Sequence, residues 1–329
     1  MHFADRLDDA IQSKGNPICV GLDPRFDQLP RQIRDAAIHA HGMTARAVAE
    51  AFLSFNRAIL DAIADVVPVC KPQIAFYEEF GWEGLRAYTA TVEYARQKGL
   101  VVISDAKRGD IGATAQAYAR AHLAVTRDAA KLSRNEFDQI LGSADQNIGG
   151  FDADALTVNP YLGRETILPF LKVAAANDRG IFILVKTSNQ GSGDLQDQPI
   201  AATVDGVPLY ELVADMVNDL GKNHRGACGL SCVGAVVGAT YPQQARRLRA
   251  LMLDTFFLIP GYGVQGGTAQ DAVAGFRSDG RGAIVNNSRG IIFAYQQSPF
   301  AESHGEKDFA GAARAATLKM AAELKTAIS

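Results

Sequence analysis

The sequence predicts an α/β protein, a single (β/α)8 barrel over residues 1–329 with insertions near 26–43 and 127–154, in the loops after strands 1 and 3, and a C-terminal helix near 308–328. Three observations carry this. Eight short apolar runs recur along the chain, rich in β-branched or aromatic residues and without polar alternation, the pattern of strands covered on both faces. Segments with helical spacing lie between them. Charged and amide residues gather where the runs end, which is where a barrel carries its chemistry. A doubly wound open sheet is the competing topology, and a length rule of about 150 residues per domain would permit two domains, but α/β barrels exceed that rule as one.

In chain order, MHFADRLDDAIQ reads as an amphipathic helix, because Asp5, Asp8 and Asp9 stand where a secretory signal needs an apolar core. ICVGL (18–22) is the first strand, followed by the insertion 26–43. His39 and His41 lie in that insertion with no carboxylate pattern of a metal site, so both are expected at the surface. A helix over 44–64 leads to VVPVC (66–70), and one over 82–98 to LVVIS (100–104). Helix 111–125 precedes the second insertion, 127–154, which holds a short helix near 135–141. The remaining strands are ALTV (155–158), IFILV (181–185), CVGAVVG (232–238), FFLI (256–259) and AIV (283–285). Helices over 165–176, 208–222, 242–251, 269–276 and 308–328 follow them in turn.

Composition narrows the function classes. With 33 basic against 36 acidic side chains, a net charge of −3, and 47% hydrophobic against 21% charged residues, the chain is globular and not disordered. It offers no basic stripe for counterion release, so no nucleic-acid partner is expected. The uncharged stretch 229–245 is broken by Gly, Ser, Thr and Pro and falls short of the roughly 20 predominantly apolar residues of a membrane span, so no membrane partner is expected. Cys19, Cys70, Cys228 and Cys232 fit neither a disulfide framework nor a CxxC pattern and read as structural thiols of a reducing cytoplasm.

The strand ends carry Asp23, Lys71, Asp105 and Lys107, Asn159, Lys186, Gly261 and Asn286. Asp105 and Lys107 are two apart, so strand alternation points them the same way. Lys71 ends the neighbouring strand, and Asp110 lies three residues past Lys107. The formal charge of Lys71, Asp105, Lys107 and Asp110 sums to zero, so each costly charge has an opposite neighbour. Asp110 has two compatible readings, chemistry or capping of the helix at Ile111. PGYGVQGG after the seventh strand offers Gly261, Gly263, Gly266 and Gly267 for close backbone approach, and SRG with Ser288 and Arg289 follows the eighth. Loops after strands 7 and 8 are where barrels commonly hold phosphate, and Arg289 adds a fork of donors; the plainer reading is a pair of tight turns.

DAKRGDIGAT resembles the Asp-x-Lys-x-x-Asp signature of the orotidine 5′-phosphate decarboxylase family, and KRGDI its long bacterial branch. GLDPR, KPQIAFYE, VNPYLG, KTSN, PGYGVQGG and NSRGI are similar to other blocks of that branch in the same order. The resemblance implies a homodimeric (β/α)8 barrel that converts orotidine 5′-phosphate to uridine 5′-phosphate and carbon dioxide, the last step of pyrimidine nucleotide synthesis, with no metal or organic cofactor. It implies that Lys107 donates the proton, Asp105 faces the substrate carboxylate, Lys71 completes the charge array, and Asp110 and Thr114 reach the neighbouring subunit's site. It gives Asp23 a ribose hydroxyl and places Gln265, Gly266 and Arg289 at the phosphate, with Gln265 also near the pyrimidine. Asn159 and Ser188 are placed to read the pyrimidine amide, with turn capping as their alternative. Asp23 is otherwise a turn residue, Thr114 a helix-surface threonine, and Lys186 a loop cation or rim group.

Two other functions compete. A Mg²⁺-dependent sugar-phosphate lyase or epimerase of the same superfamily carries the same signature but needs an acidic ligand near the end of the second strand, where this chain has Lys71. A nucleotide-binding barrel without catalysis is the other.

Overall fold

The computed structural model describes residues 1–126, 133–142, 146–148, 150–201 and 206–329. Eight parallel strands close a barrel: β1 (Ile18–Leu22), β2 (Val69–Pro72), β3 (Val101–Arg108), β4 (Ala155–Val158), β5 (Gly180–Lys186), β6 (Ser231–Val237), β7 (Thr255–Ile259) and β8 (Ala283–Asn287). Their order around the ring is β1-β8-β7-β6-β5-β4-β3-β2, each strand beside its sequence neighbours. The predicted runs all form strands, because unbroken β-branched and aromatic residues suit a surface buried on both sides. Four strands run further than the apolar runs into charged or amide residues, β5 among them through Lys186. β2 continues through Lys71 and Pro72, registered against Gly21 and Leu22 of β1, and β3 continues through Asp105 and Lys107. β8 extends through Asn286 and Asn287. Charged and amide side chains do not end a strand whose backbone still has a partner.

The helices that follow the strands are α1 (Ala45–Ile63), α2 (Gly81–Gln97), α3 (Gly112–Leu123), α4 (Arg164–Ala176), α5 (Leu209–Gly221), α6 (Pro242–Leu251), α7 (Ala269–Val273) and α8 (Phe309–Ile328). Thr44 caps α1 by accepting from the Ala47 N–H, and Thr268 and Asp271 form a reciprocal capping box on α7. α7 is a turn shorter than its spacing predicts, ending ahead of Gly275. The first insertion is a 3₁₀ turn (Phe26–Gln28) and a helix (Arg31–His41), which packs against α1; His39 is exposed and His41 half-buried. The second lies between α3 and β4. It contains the helix Arg134–Gly142 and a short pair of strands, Val125–Thr126 with Gln146–Asn147. Residues 127–132, 143–145 and 149 of that insertion are outside the described residues.

Packing divides the chain into two compact units, Ala10–Ala106 with Asn286–Thr326, and Met1–Asp9 with Lys107–Val285 and Ala327–Ser329. The first is built around stacked rings: Phe55 lies on Phe293 and on Phe309, with centroids 5.7 and 5.3 Å away. Beside them the Asn56 amide donates to the Tyr77 hydroxyl and to Thr91. In the second unit Phe3 of the N-terminal helix meets Phe182 of β5 edge-on, and Arg249 donates to the carbonyls of Met252, Thr255, Gly275 and Gly282. Among the described residues no helix is long and apolar enough to cross a membrane.

His122, buried on α3 against Phe151, gives the second unit a pH dependence. Burial, with the positive charge of Arg108 adding to it, pushes the imidazole from its ordinary 6.5 to about 3. A folded pKa below the unfolded one means that protonation favours the unfolded chain. Stability is therefore full above pH 6.5 and falls as pH drops from there toward 3. Urea midpoints measured from pH 7 to pH 5 should decline more steeply for the parent than for His122→Asn; parallel declines would contradict this.

Candidate active site

The charged pair at the ends of β2 and β3 is the best-defined feature. Lys71 Nζ lies 2.6 Å from Asp105 Oδ2, with the two residues 4% and 7% exposed. Burial alone would depress the ammonium, but the carboxylates of Asp105 and Asp23 outweigh it and hold Lys71 above the usual lysine value. Lys71 is thus a permanent cation. Cys19 on β1 lies in the field of the same three charges, and burial, opposed by Lys71, pushes its thiol up to about 12. It is therefore a neutral packing group. Asp23 stands half-buried just past β1. Gly21 in β1 leaves room for Ser288, whose Cβ would lie 2.6 Å from any Cβ added there.

Two residues past Asp105, Lys107 is exposed and its backbone is left-handed, φ +47°. A side-chain-bearing residue in that region costs about 1–3 kcal/mol, and here the Lys107 N–H is held 2.9 Å from Thr157 Oγ1 of β4. The backbone at Lys107, inside β3, thus departs from the extended conformation on which simple strand alternation rests. Asp110 accepts from the Ile111 N–H at 2.8 Å. Ile111 is the N-cap of α3 with no side-chain cap, so this carboxylate closes the turn before the helix and does not cap it. Thr114 is exposed on the first turn of α3. Asn159 is exposed, and its side-chain oxygen accepts from the Tyr161 N–H at 3.0 Å, the turn-forming role that competed with substrate reading.

The loops after β5 and β7 meet. Ser188 Oγ donates to Gln265 Oε1 at 2.9 Å, joining two predicted site residues 77 positions apart. The glycine-rich loop folds on itself: Gly267 N–H donates to Gly261 O, Gly263 N–H to Gly267 O and Gly266 N–H to Gly263 O. Gly261 (φ +101°) and Gly266 (φ +97°) need the left-handed freedom that only glycine has without strain. Arg289 is exposed and opens the short helix Arg289–Ile292 after β8. Among the described residues, Asn286 Oδ1 and Ser288 Oγ are buried polar atoms with no hydrogen-bond partner.

Lys186 needs a correction. It is neither a loop cation nor a rim group but is fully buried, with Nζ 2.7 Å from Asp197 Oδ1 and 3.1 Å from Ser192 Oγ. The sequence holds no signal for this beyond an aspartate eleven residues on. Among the described residues no cluster of three or more His, Cys, Asp or Glu side chains could hold a metal ion.

Comparison with known proteins agrees with this architecture. Residues 16–133 and 143–303 match the family model described as orotidine 5′-phosphate decarboxylase / HUMPS. An orotidine 5′-phosphate decarboxylase of Rhodopirellula baltica is 43% identical, with 99% of each chain covered. A solved OMP decarboxylase of Leishmania donovani is 28% identical, with a TM-score of 0.68 over 100% of this chain and 99% of the other. The structure of Leishmania donovani UMP synthase matches with a TM-score of 0.69 at 30% identity; it covers all of this chain, which spans 57% of that one.

Proposed function

Because the chain belongs to the orotidine 5′-phosphate decarboxylase / HUMPS family, we propose that it converts orotidine 5′-phosphate to uridine 5′-phosphate and carbon dioxide, with Lys107 as the proton donor. The observation that carries this reading is the buried pair of Lys71 on β2 with Asp105 on β3, the strand that carries Lys107 two residues later. Breaking the C6–carboxylate bond releases carbon dioxide and leaves the electron pair in an in-plane orbital at C6, which the ring carbonyls cannot readily delocalise. A fixed ammonium beside C6 stabilises that charge as it forms and then delivers the proton. Lys107 fills this role and regains its proton from water. Asp105, fixed by Lys71, faces the substrate carboxylate, a repulsion of about 4 kcal/mol at 4 Å under an effective dielectric near 20 before Lys71 reduces it. Loss of carbon dioxide relieves it.

Around this centre, Asp23 takes a ribose hydroxyl, Ser188 and Asn159 face the pyrimidine, and Gln265, Gly266 and Arg289 hold the phosphate. The Ser188–Gln265 bond supports a joint between base recognition and phosphate recognition. The enzyme works in the cytoplasm as a homodimer without metal or organic cofactor, Asp110 and Thr114 serving the neighbouring subunit's site. A Mg²⁺-dependent sugar-phosphate reaction is disfavoured, because a cation bonded to Asp105 stands at Lys71, where that chemistry needs an acidic ligand.

The test is the loss of orotidine 5′-phosphate absorbance with purified protein in EDTA. Full activity is expected, and abolition by the chelator would favour the metal-dependent reading. Phosphate binding has its own test. Gripping a remote phosphate helps order the site around the reacting ring, so Arg289→Ala should lower kcat/KM by about 2–3 kcal/mol of transition-state stabilisation, in line with charge-assisted hydrogen bonds. Orotidine without phosphate should be turned over equally by both forms; an equal loss on both substrates would count against this role.

A further inference from the structure

We infer that Lys186 is a positioning residue: its buried ammonium anchors the loop after β5 and so holds Ser188 against Gln265. The inference rests on the proposed decarboxylase reading and adds to it a residue that never touches substrate. Lys186 ends β5 with no exposed surface, and its Nζ reaches up into the following loop to Asp197 Oδ1 at 2.7 Å and Ser192 Oγ at 3.1 Å. The ring of Tyr241 lies 4.3 Å away, the range of a cation–π contact. A buried ammonium is costly unless paired, so the loop must stay folded over it.

These partners and their chain neighbours bond residues 187–189 from several sides. Tyr241 donates from its hydroxyl to the Asn189 carbonyl at 3.2 Å, and Thr240 donates to the Ser188 carbonyl at 3.0 Å. Gln196, next to Asp197, accepts from the Thr187 N–H at 2.9 Å and donates to the Thr187 hydroxyl at 2.8 Å. Gly238 on the β6 side is bare where a Cβ would lie 2.7 Å from Ser188 Cα. The backbone of residues 187–189 is thus held between Gln196, Thr240 and Tyr241, with buried Lys186 just before it. From this frame Ser188 Oγ reaches across to meet Gln265 at 2.9 Å. Asp197 is 38% exposed, so without the ammonium its carboxylate can turn to water and release the arm.

The experiment is a double-mutant cycle on kcat/KM for orotidine 5′-phosphate with Lys186→Met, Ser188→Ala and the pair. A reacting group displaced by about 1 Å costs about a hundredfold, and each single variant should lose on that order. Because Lys186 acts through Ser188, the double variant should fall no more than about threefold below the weaker single, where independent sites would multiply to about ten-thousandfold. Lys186→Met within about threefold of the parent, or fully multiplicative losses, would overturn the inference. If Lys186→Met does not fold, Asp197→Ala cuts the same tether from its exposed side and is read by the same cycle. A parent that decarboxylates alongside an unimpaired Lys186→Met sinks only this inference, whereas a parent with no turnover removes both.

Discussion

Lys107→Ala will bind uridine 5′-phosphate with affinity near that of the parent and lose at least about four orders of magnitude in turnover, the combined loss of a proton donor and of the charge that stabilises the C6 anion. The size follows from the two roles meeting in one nitrogen. The fold will be intact, because alanine keeps the left-handed backbone at this position and the Lys107 N–H bond to Thr157 involves no side-chain atom of residue 107. Calorimetric binding of the product, beside single-turnover decarboxylation, checks both halves. Retained decarboxylation within tenfold would remove Lys107 from the chemistry.

Lys71→Met will be the most damaging change for the fold and the site together. It leaves Asp105, 7% exposed, without its 2.6 Å ammonium partner. Breaking a buried pair from one side costs about 3–5 kcal/mol, more than replacing both members with apolar groups of similar size. Urea denaturation should therefore place Lys71→Met well below the parent, with Lys71→Met/Asp105→Leu recovering much of the loss. Turnover should not recover in the double variant, since the carboxylate facing the substrate is gone. Recovery of turnover along with stability would show that the pair serves packing alone.

The barrel was legible because each of its strands is a short apolar run, and burial on both faces leaves no other economical composition for such strands. Strand ends were less legible. Lys71 and Asp105 are charged, yet they belong to β2 and β3 because each neutralises the other and their backbones still find partners. Spacing brought Asp105, Lys107 and Asp110 together in the sequence, but it does not announce the left-handed backbone at Lys107 or the bond of its N–H to Thr157 fifty residues away. Ser188 and Gln265 were each named, but nothing local announces that they bond across two loops. Lys186, read as a loop cation or rim group, was misplaced for the same reason: its buried ammonium meets Asp197 and Tyr241, which nothing local announces.

Catalysis by this site depends on where Lys107 Nζ sits. A crystal structure with a bound uridine 5′-phosphate analogue measures that directly. Lys107 Nζ within about 3 Å of C6, the reach of a proton donor, with Asp105 beside the position of the departing carboxylate, is the predicted result. An ammonium turned away from the ring, with another donor at C6, would contradict it.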